Sequence, residues 1–256
     1  MFTPEGFNIF LIVMAAVAAV VFVSLFFVDA GYGKFYQPKW GPSLDNHLGW
    51  FLMEVPVFLA MLLLWWFSER RFDWTRLAFL FLFELHYFHR SFLFPNQLRG
   101  HSRMPLSIIL MGVVFNTLNA LMQGGWIFYV SPAAYYGIDW LHSIPFVLGT
   151  CIFIAGMYIN ISSDAIIRGL RQPGDTKHYL PRAGMFRYVT SANYFGELLE
   201  WVGFAILTWS LAGAVFALWT FANLAPRAAR IYDLYQREFP GQIDTKRTKR
   251  MIPFIY

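Results

Sequence analysis

The sequence predicts an all-α integral membrane protein with seven membrane-spanning helices, its N-terminus outside and its C-terminus in the cytoplasm. The first observation is composition: 57% of the 256 residues are hydrophobic and only 14% are charged. Soluble domains carry about 25% charged residues, so this chain lacks the surface of a soluble fold. The second observation is that apolar runs repeatedly approach the ~20 residues that a helix needs to cross a bilayer. The third is the one-sided placement of lysine and arginine along the chain.

Seven apolar segments carry the predicted spans. The last two share one apolar run, Leu198 to Leu224, whose only break is Ser210-Leu-Ala-Gly213. This run is too long for a single crossing, so we expect a tight hairpin at the break. No internal repeat or low-complexity tract divides the chain, and residues 1–256 are expected to form a single domain. The expected spans are 7–28, 49–67, 74–94, 105–130, 139–162, 194–210 and 212–235.

The distribution of basic residues predicts the orientation of these spans in the membrane. With the N-terminus outside, sixteen of the 20 lysines and arginines fall on the inner side, three fall on the outer side, and Arg90 lies within the inner end of span three. Cytoplasmic segments are enriched in Lys and Arg, so this orientation is favoured over its reverse. The inner set is Lys34, Lys39, Arg99, Arg103, Arg168, Arg171, Lys177, Arg182, Arg187, Arg227, Arg230, Arg237, Lys246, Arg247, Lys249 and Arg250. The net charge of +5 thus reflects basic residues gathered on the inner side of the membrane and does not indicate a nucleic-acid partner.

Polar side chains from five spans meet at the inner side in this orientation. Ionisable groups in hydrocarbon are costly and usually face a cavity or each other, so they mark a functional site by default. The alternative is that these polar residues lie at helix ends and contact only lipid headgroups, without forming a site. The polar side chains are Glu54, Glu84, His86, Tyr87, His89, Arg90, Asn160, Asp164, Asn193, Glu197, Glu200, Arg227, Tyr232 and Tyr235.

The residue types at this end suit a charged, hydrogen-bonding ligand. The arginine guanidinium is planar and permanently charged, and its N–H groups match the geometry of a phosphate. Asn and Asp side chains can hydrogen-bond to amides and hydroxyls. Neither a G-x-G-x-x-G motif after a strand nor a G-x-x-x-x-G-K-[ST] motif occurs, so a nucleotide would have to be bound by helices and loops. The lone cysteine, Cys151, excludes a disulfide framework and a cysteine-ligated zinc site.

Three segments carry distinctive motifs: Leu85-His-Tyr87-Phe-His-Arg90-Ser-Phe, the run from Gly156 through Asn160, Asp164, Arg168 and Arg171 to Pro-Gly174, and Ala192-Asn193-x-x-Gly196-Glu197-x-x-Glu200-Trp201. Together they resemble the steroid 5α-reductase family. Thr208-Trp-Ser-Leu, Arg227 and the terminal Ile252-Pro-Phe-Ile-Tyr extend the similarity over nearly the whole chain. The resemblance implies a seven-span, NADPH-dependent membrane enzyme that saturates the Δ4 double bond of a 3-oxo-steroid.

The resemblance also assigns roles to individual residues. Tyr87 and Glu54 match the carbonyl-binding positions, so Tyr87 is expected to donate to the substrate carbonyl and Glu54 to hold or share that proton, with Met53 beside them as a substrate contact. Packing at the membrane interface is the competing role for Tyr87. The residues expected at the NADPH site are Arg90, Arg99, Asn160, Asp164, Arg171, Asn193, Glu197, Arg227 and Tyr235.

Two positions depart from the family pattern. The animal enzymes typically carry Gln before the glutamate, where this chain has Met53. The loss of that polar contact makes another apolar acceptor, such as a sterol, a polyprenal or an enoyl-CoA, an open alternative to the steroid. Several members also have a histidine cluster after the arginine of span seven, where this chain has Ile231. The details of the cofactor contacts after Arg227 are therefore left open by the resemblance.

Two further interpretations belong to other classes. Glu84, His86 and His89 resemble part of a metal site, but the remaining histidines form no H-x-x-H pair, and we expect no metal. A proton-coupled transporter with Glu54, Glu84 and Glu197 as a relay is the non-enzymatic alternative, although no inverted repeat is evident. We expect a monomer in a bacterial inner membrane or the endoplasmic reticulum, with an apolar acceptor that enters from lipid.

Overall fold

The computed structural model describes residues 3–28, 31, 35–99, 102–172 and 177–256. Two features named above, Lys34 and Pro173-Gly174, lie outside these ranges. The described chain is predominantly helical, in agreement with the predicted fold class. The helices are α1 Pro4–Ser24, α2 Asn46–Trp66, α3 Trp74–Phe88, α4 Phe94–Gln97, α5 Leu106–Gly124, α6 Ile144–Gly169, α7 Ala192–Thr208 and α8 Leu211–Glu238.

Short irregular helices link several of these elements. A π-helical turn, His89–Leu93, joins α3 to α4, and a second, Gly125–Val130, extends α5. Three 3₁₀ turns lie at Pro38–Trp40, Ile138–His142 and Gly184–Arg187.

Four segments are long and apolar enough to cross a membrane: Pro4–Ser24, Asn46–Trp66, Leu106–Val130 and Ile144–Gly169. The protein is accordingly described as an integral membrane protein. Helices α3 and α7, with 15 and 17 residues, fall short of the ~20 needed for a full crossing. Helix α8 has 28 residues but is charged in its second half. The count of seven crossings remains a prediction.

A two-stranded ladder is the exception to the all-α prediction. Strand β1, Ser43–Asp45, pairs antiparallel with β2, Arg103–Pro105. Because α2 follows β1 directly and α5 follows β2, the ladder sets the relative height of these two helices. Helices α2 and α5 also pack closely at Gly112 of α5, where the Met53 side chain of α2 occupies the space that a Cβ would need.

Helices α6 and α7 approach each other backbone to backbone. Gly149 and Gly156 of α6 face α7, and Gly196 and Gly203 of α7 face α6. A Cβ added at Gly156 would lie 2.3 Å from the backbone nitrogen of Glu200, and one at Gly196 would lie 2.3 Å from that of Asn160. Only glycine permits this separation, as at the small-residue interfaces typical of membrane helices.

The predicted hairpin between the last two helices is confirmed. Helix α7 ends at Thr208, Trp209 adopts a left-handed conformation with φ of 43°, and Ser210 caps α8 by accepting from the Gly213 amide. Three aromatic side chains satisfy the terminal carbonyls of α7, which have no partner within the helix. Trp140 donates to the carbonyl of Leu207, Tyr136 to that of Thr208 and Tyr135 to that of Trp209.

The terminal segment packs beside the start of α7. The amides of Thr190 and Ser191 donate to the carbonyls of Lys249 and Arg250, and the Tyr256 hydroxyl donates to the carbonyl of Ala225 in α8. This segment therefore holds the residues that immediately precede Asn193.

We predict that Gly156→Ala destabilises the protein, whereas Gly169→Ala does not. The new Cβ at position 156 would collide with the α7 backbone, and overpacking costs about 1–3 kcal/mol or more. No atom lies within 4 Å of a Cβ at Gly169, also on α6. The melting temperature in detergent should fall by about 2–4 °C per kcal/mol for Gly156→Ala only. Equal melting temperatures for the two variants would contradict the close approach of α6 and α7.

Candidate active site

A cavity of about 270 Å³ lies among the helices, at the end where the sequence placed its polar residues. Helices α2, α3, α5, α6, α7 and α8 all contribute to its wall. One side is apolar and aromatic, formed by Trp50, Met53, Phe94, Gly112, Phe115, Trp201, Phe216, Trp219 and Leu224. The other residues are polar or ionisable: Glu54, His86, Tyr87, Arg90, Asn116, Asp164, Asn193, Tyr194, Glu197, Thr220, Asn223 and Arg227.

The structure brings eight of the twelve predicted site residues to this cavity. They are Met53, Glu54, Tyr87, Arg90, Asp164, Asn193, Glu197 and Arg227. Four others, Arg99, Asn160, Arg171 and Tyr235, do not line it. The first group comes from six helical segments that are far apart in sequence.

Glu54 is buried in α2, with 7% of its surface exposed. The Asn116 amide of α5 donates to Glu54 Oε2 over 3.1 Å and to the carbonyl of Met53 over 2.7 Å. Arg90 Nη2 lies 3.8 Å from Glu54 Oε1. The carboxyl group is thus held from two sides at the cavity wall.

Tyr87 is also buried, with 3% of its surface exposed, and its ring packs between aromatic neighbours. The ring centroid lies 4.7 Å from that of Phe83 and 5.7 Å from that of Trp201. The Asn119 amide donates to Tyr87 Oη over 2.8 Å. These contacts fix the phenol on three sides and differ from those of an aromatic side chain at the membrane interface.

Arg90 lies in the π-helical turn that follows α3. Such turns often occur at functional sites. Its guanidinium stacks on two rings, 4.7 Å from the centroid of Trp50 and 4.5 Å from that of Phe94. Arg90, expected at the NADPH site, thus also lies next to the Glu54 carboxyl group, 3.8 Å away.

A chain of hydrogen bonds joins α6 to the start of α7. The Asn160 amide donates to the carbonyl of Asn193 over 2.9 Å, and the Asn193 amide donates to Asp164 Oδ1 over 3.0 Å. Asn160 therefore acts behind the cavity wall, while Asp164 and Asn193 face the cavity. Glu197, one turn further along α7, joins them at the wall.

Arginines surround the inner end of α6 and the neighbouring part of α8. Arg99 donates to the carbonyls of Arg168 and Arg171 over 3.2 and 2.9 Å. The buried Nη1 atom of Arg168 has no hydrogen-bond partner among the described residues. Arg227 donates through Nε to the hydroxyl of Tyr194 over 3.0 Å. Tyr235 is buried and packs near Phe239, with ring centroids 6.0 Å apart.

His86 and Glu200 form a buried pair beneath the cavity. Nδ1 of His86 lies 2.9 Å from Oε1 of Glu200, whose surface is fully buried. Trp201 is 1% exposed and lies in the core, so it is not a membrane-interface anchor. Within the described ranges, no group of three His, Cys, Asp or Glu side chains could hold a metal ion.

Sequence reasoning missed the amides of α5. Asn116, Asn119 and Gln123 follow one another at intervals of three and four, which places them on one face of a helix. All three are buried, and each donates to another helix or to its side chain. This spacing of amides in an apolar run was a signal that could have identified them.

The comparisons with known proteins agree with one another. Residues 102–256 match the family model described as 3-oxo-5-alpha-steroid 4-dehydrogenase. The chain is 38% identical to 3-oxo-5-alpha-steroid 4-dehydrogenase 1 of Homo sapiens, over 94% of this chain and 92% of the relative. It is 35% identical to the steroid 5-alpha-reductase DET2 of Gossypium hirsutum, over 98% and 97% of the two chains. Identity to the DET2 protein of Arabidopsis thaliana is 36%, over 91% and 90%.

We predict that removing the carboxyl group of Glu200 destabilises the protein, whereas removing that of Glu84 does not. Glu200→Leu leaves His86 Nδ1 without its partner, and an unsatisfied buried polar group costs about 1–3 kcal/mol. The oxygens of Glu84 are buried and accept no hydrogen bond within the described chain, so Glu84→Leu should be neutral or stabilising. Thermal unfolding in detergent measures both. An equal fall in melting temperature for the two variants would argue against the His86–Glu200 pair.

Proposed function

The chain belongs to the 3-oxo-5-alpha-steroid 4-dehydrogenase family, a family of oxidoreductases, and from this we propose that it reduces the Δ4 double bond of 3-oxo-Δ4-steroids to 5α-3-oxo-steroids with NADPH. The observation that carries the proposal is one cavity that holds both the Tyr87–Glu54 pair and the Asp164–Asn193 cluster. The Tyr87–Glu54 pair can hydrogen-bond to a carbonyl group, and the Asp164–Asn193 cluster can hydrogen-bond to the amide and hydroxyl groups of a nucleotide.

Reduction of an enone places specific demands on the protein. As hydride adds to the β-carbon, negative charge builds on the carbonyl oxygen, and an enolate forms. A preorganised donor directed at that oxygen lowers the barrier, most effectively in a site without bulk water. Tyr87 supplies a neutral hydroxyl at the cavity wall, and its ring and oxygen are already held by Phe83, Trp201 and Asn119.

Glu54 is the second member of the carbonyl-binding pair. Its carboxyl group is fixed by Asn116 and faces Arg90 at 3.8 Å. We assign it to hold a proton that it shares with Tyr87, so that the Glu54 carboxyl group replaces the proton that Tyr87 gives to the enolate oxygen. The resulting enol returns to the ketone by taking up a proton at the α-carbon and releasing the one on its oxygen. Arg90 belongs to this half of the site by position, where its stacked guanidinium would stabilise the negative charge of the Glu54 carboxylate.

The polar residues that α6 and α7 contribute to the cavity fit NADPH. The donor and acceptor set of Asp164, Asn193 and Glu197 matches a carboxamide and ribose hydroxyls, and the unpartnered Arg168 Nη1 beside Arg99 matches a phosphate. Bound there, NADPH supplies the hydride. Asn160 would orient Asn193, Arg227 would contact the cofactor at the cavity wall, and Arg171 and Tyr235 would contact it beyond the wall.

The apolar wall would receive the acceptor from lipid. Phe115, Phe216 and Trp219 offer flat surfaces suited to a fused ring system. Met53 presents a thioether that offers only weak hydrogen bonding, so selectivity for the steroid must come from shape and from the carbonyl contact. A related apolar enone, such as a sterol, a polyprenal or an enoyl-CoA, is therefore the second candidate.

The proposal includes the arrangement in the membrane. Seven crossings with a cytoplasmic C-terminus would open the cofactor side of the cavity to the cytoplasm, where NADPH is available. The excess of Lys and Arg on that side supports this orientation. We propose a monomer as the working unit in a bacterial inner membrane or the endoplasmic reticulum.

We predict that Tyr87→Phe lowers kcat by about 10²–10³, the usual cost of losing one such donor. The measurement is NADPH oxidation with testosterone, progesterone and a long-chain enoyl-CoA, beside Glu54→Gln. Tyr158→Phe is the matched control, because that tyrosine is 73% exposed on α6. Full steroid turnover by Tyr87→Phe would refute its role, and turnover of the enoyl-CoA alone by the wild type would favour the second candidate.

We predict that Asn193→Leu weakens NADPH binding at least about tenfold, the lower end of the 1.5–3 kcal/mol typical of hydrogen bonds to charged groups. The variant loses both the bond to Asp164 and the cavity-facing amide. Fluorescence of NADPH titrated with purified protein gives the dissociation constant. Asn96→Leu is the control, since its amide donates only to the carbonyl of Phe92 within an exposed turn. Unchanged affinity in Asn193→Leu would remove this cluster from the cofactor site.

A further inference from the structure

Asn119 lies behind Tyr87, on the side away from the cavity. Its side chain is fully buried in α5 and is not part of the cavity wall, whereas Tyr87 is. The single hydrogen bond that the described structure gives to Tyr87 Oη is the one donated by Asn119 Nδ2, over 2.8 Å. Among the neighbours of the phenol ring, Phe83 and Trp201 offer no oxygen acceptor on their side chains. His86, with its ring centroid 4.9 Å away, already uses Nδ1 in its pair with Glu200 and lies on the cavity side of Tyr87.

The amide of Asn119 is oriented with its N–H toward Tyr87 and its Oδ1 buried without a hydrogen-bond partner in the described structure, and this orientation determines which way Tyr87 can donate. A phenol has one proton, and its oxygen can accept. Because the oxygen accepts from Asn119, the phenol proton cannot point at the same amide nitrogen. The proton is left for an acceptor on the cavity side, where the carbonyl of a substrate would lie.

We propose that Asn119 is a positioning residue that makes Tyr87 a hydrogen-bond donor toward the cavity. This inference rests on the proposed function, because it takes the acceptor in the cavity to be a carbonyl oxygen. The N–H of Asn119, the hydroxyl of Tyr87 and the carbonyl form a chain in which each bond polarises the next. Negative charge that reaches Tyr87 Oη as its proton moves is stabilised by the same N–H.

The position of Asn119 on its helix supports the assignment. Asn116, one turn earlier on the same face, donates to the carboxyl group of Glu54. Helix α5 therefore supplies one amide donor to each member of the carbonyl-binding pair. Gln123, a further turn along, donates to the carbonyl of Ala212 and touches neither member.

The opposite amide orientation makes the inference falsifiable. If Asn119 turned its Oδ1 atom toward Tyr87, it would accept the phenol proton, and Tyr87 could not donate to a substrate. The two orientations differ in whether the amide proton of Asn119 is hydrogen-bonded, and this can be observed without any substrate or cofactor.

The first arm of the test is NMR of protein labelled with ¹⁵N in asparagine side chains, in detergent. The Asn119 signal is identified by its loss in Asn119→Leu. We expect one of its amide proton resonances to move upfield in Tyr87→Phe, which loses the hydroxyl and keeps the ring. An unchanged resonance overturns the inference whatever the enzyme does.

The second arm is kinetic. Asn119→Leu and Asn119→Asp should lower kcat for a Δ4-3-oxo-steroid at least about tenfold while KM changes little, because the lost interaction acts in the transition state. Asp should be the worse of the two, since an ionised carboxylate accepts the proton of Tyr87. Gln123→Leu, which removes an amide from the same helix face, should keep kcat within about twofold.

The outcomes separate the two claims. Wild-type kcat in both Asn119 variants, or an equal loss in Gln123→Leu, overturns the positioning role while leaving the proposed function in place. A wild-type protein that reduces no enone, but whose Asn119 resonance moves in Tyr87→Phe, refutes the proposed function and supports the donor assignment. If Asn119→Asp does not fold, Asn119→Leu and the NMR arm still decide.

Discussion

The close approach of α6 and α7 is the constraint on which the rest of the site depends. Four glycines bring the two backbones together, and any side chain at these positions would collide with the opposite helix. At this separation Asn160 reaches the carbonyl of Asn193, and Asn193 reaches Asp164. About two turns further, α7 places Glu200 beside His86 and Trp201 beside Tyr87. Without this contact, neither the Asp164–Asn193 cluster nor the His86–Glu200 pair would form.

Polar groups in an apolar bundle also have to satisfy one another, and this requirement divides the cavity into two halves. On one side, amides of α5 hold Glu54 and Tyr87. On the other, the amide of Asn193 holds Asp164. The His86–Glu200 pair connects α3 to α7 beneath them. Under the proposed function, the first set of residues binds the substrate carbonyl group and the second binds NADPH.

Much of this arrangement could be predicted from the sequence, because composition and apolar run length depend on single segments. The helices, the break at Ser210 and the polar end of the bundle follow from such local signals. Pairing between distant segments does not: nothing local assigns Asn119 to Tyr87 or Glu200 to His86. The β1–β2 ladder escaped prediction because its strands have only three residues each. The position of Arg90, stacked on Trp50 and Phe94 beside Glu54, likewise depends on segments that are distant in sequence.

The most direct test of the central claim follows the hydride itself. Purified protein is incubated with a Δ4-3-oxo-steroid and NADPH that carries deuterium at the transferable position of the nicotinamide, and the product is analysed by NMR and mass spectrometry. Reduction of the enone in this cavity predicts one deuterium at the former β-carbon of the double bond, with the ketone intact. Deuterium on a carbinol carbon, or a reduced product without deuterium, would contradict hydride addition to the double bond.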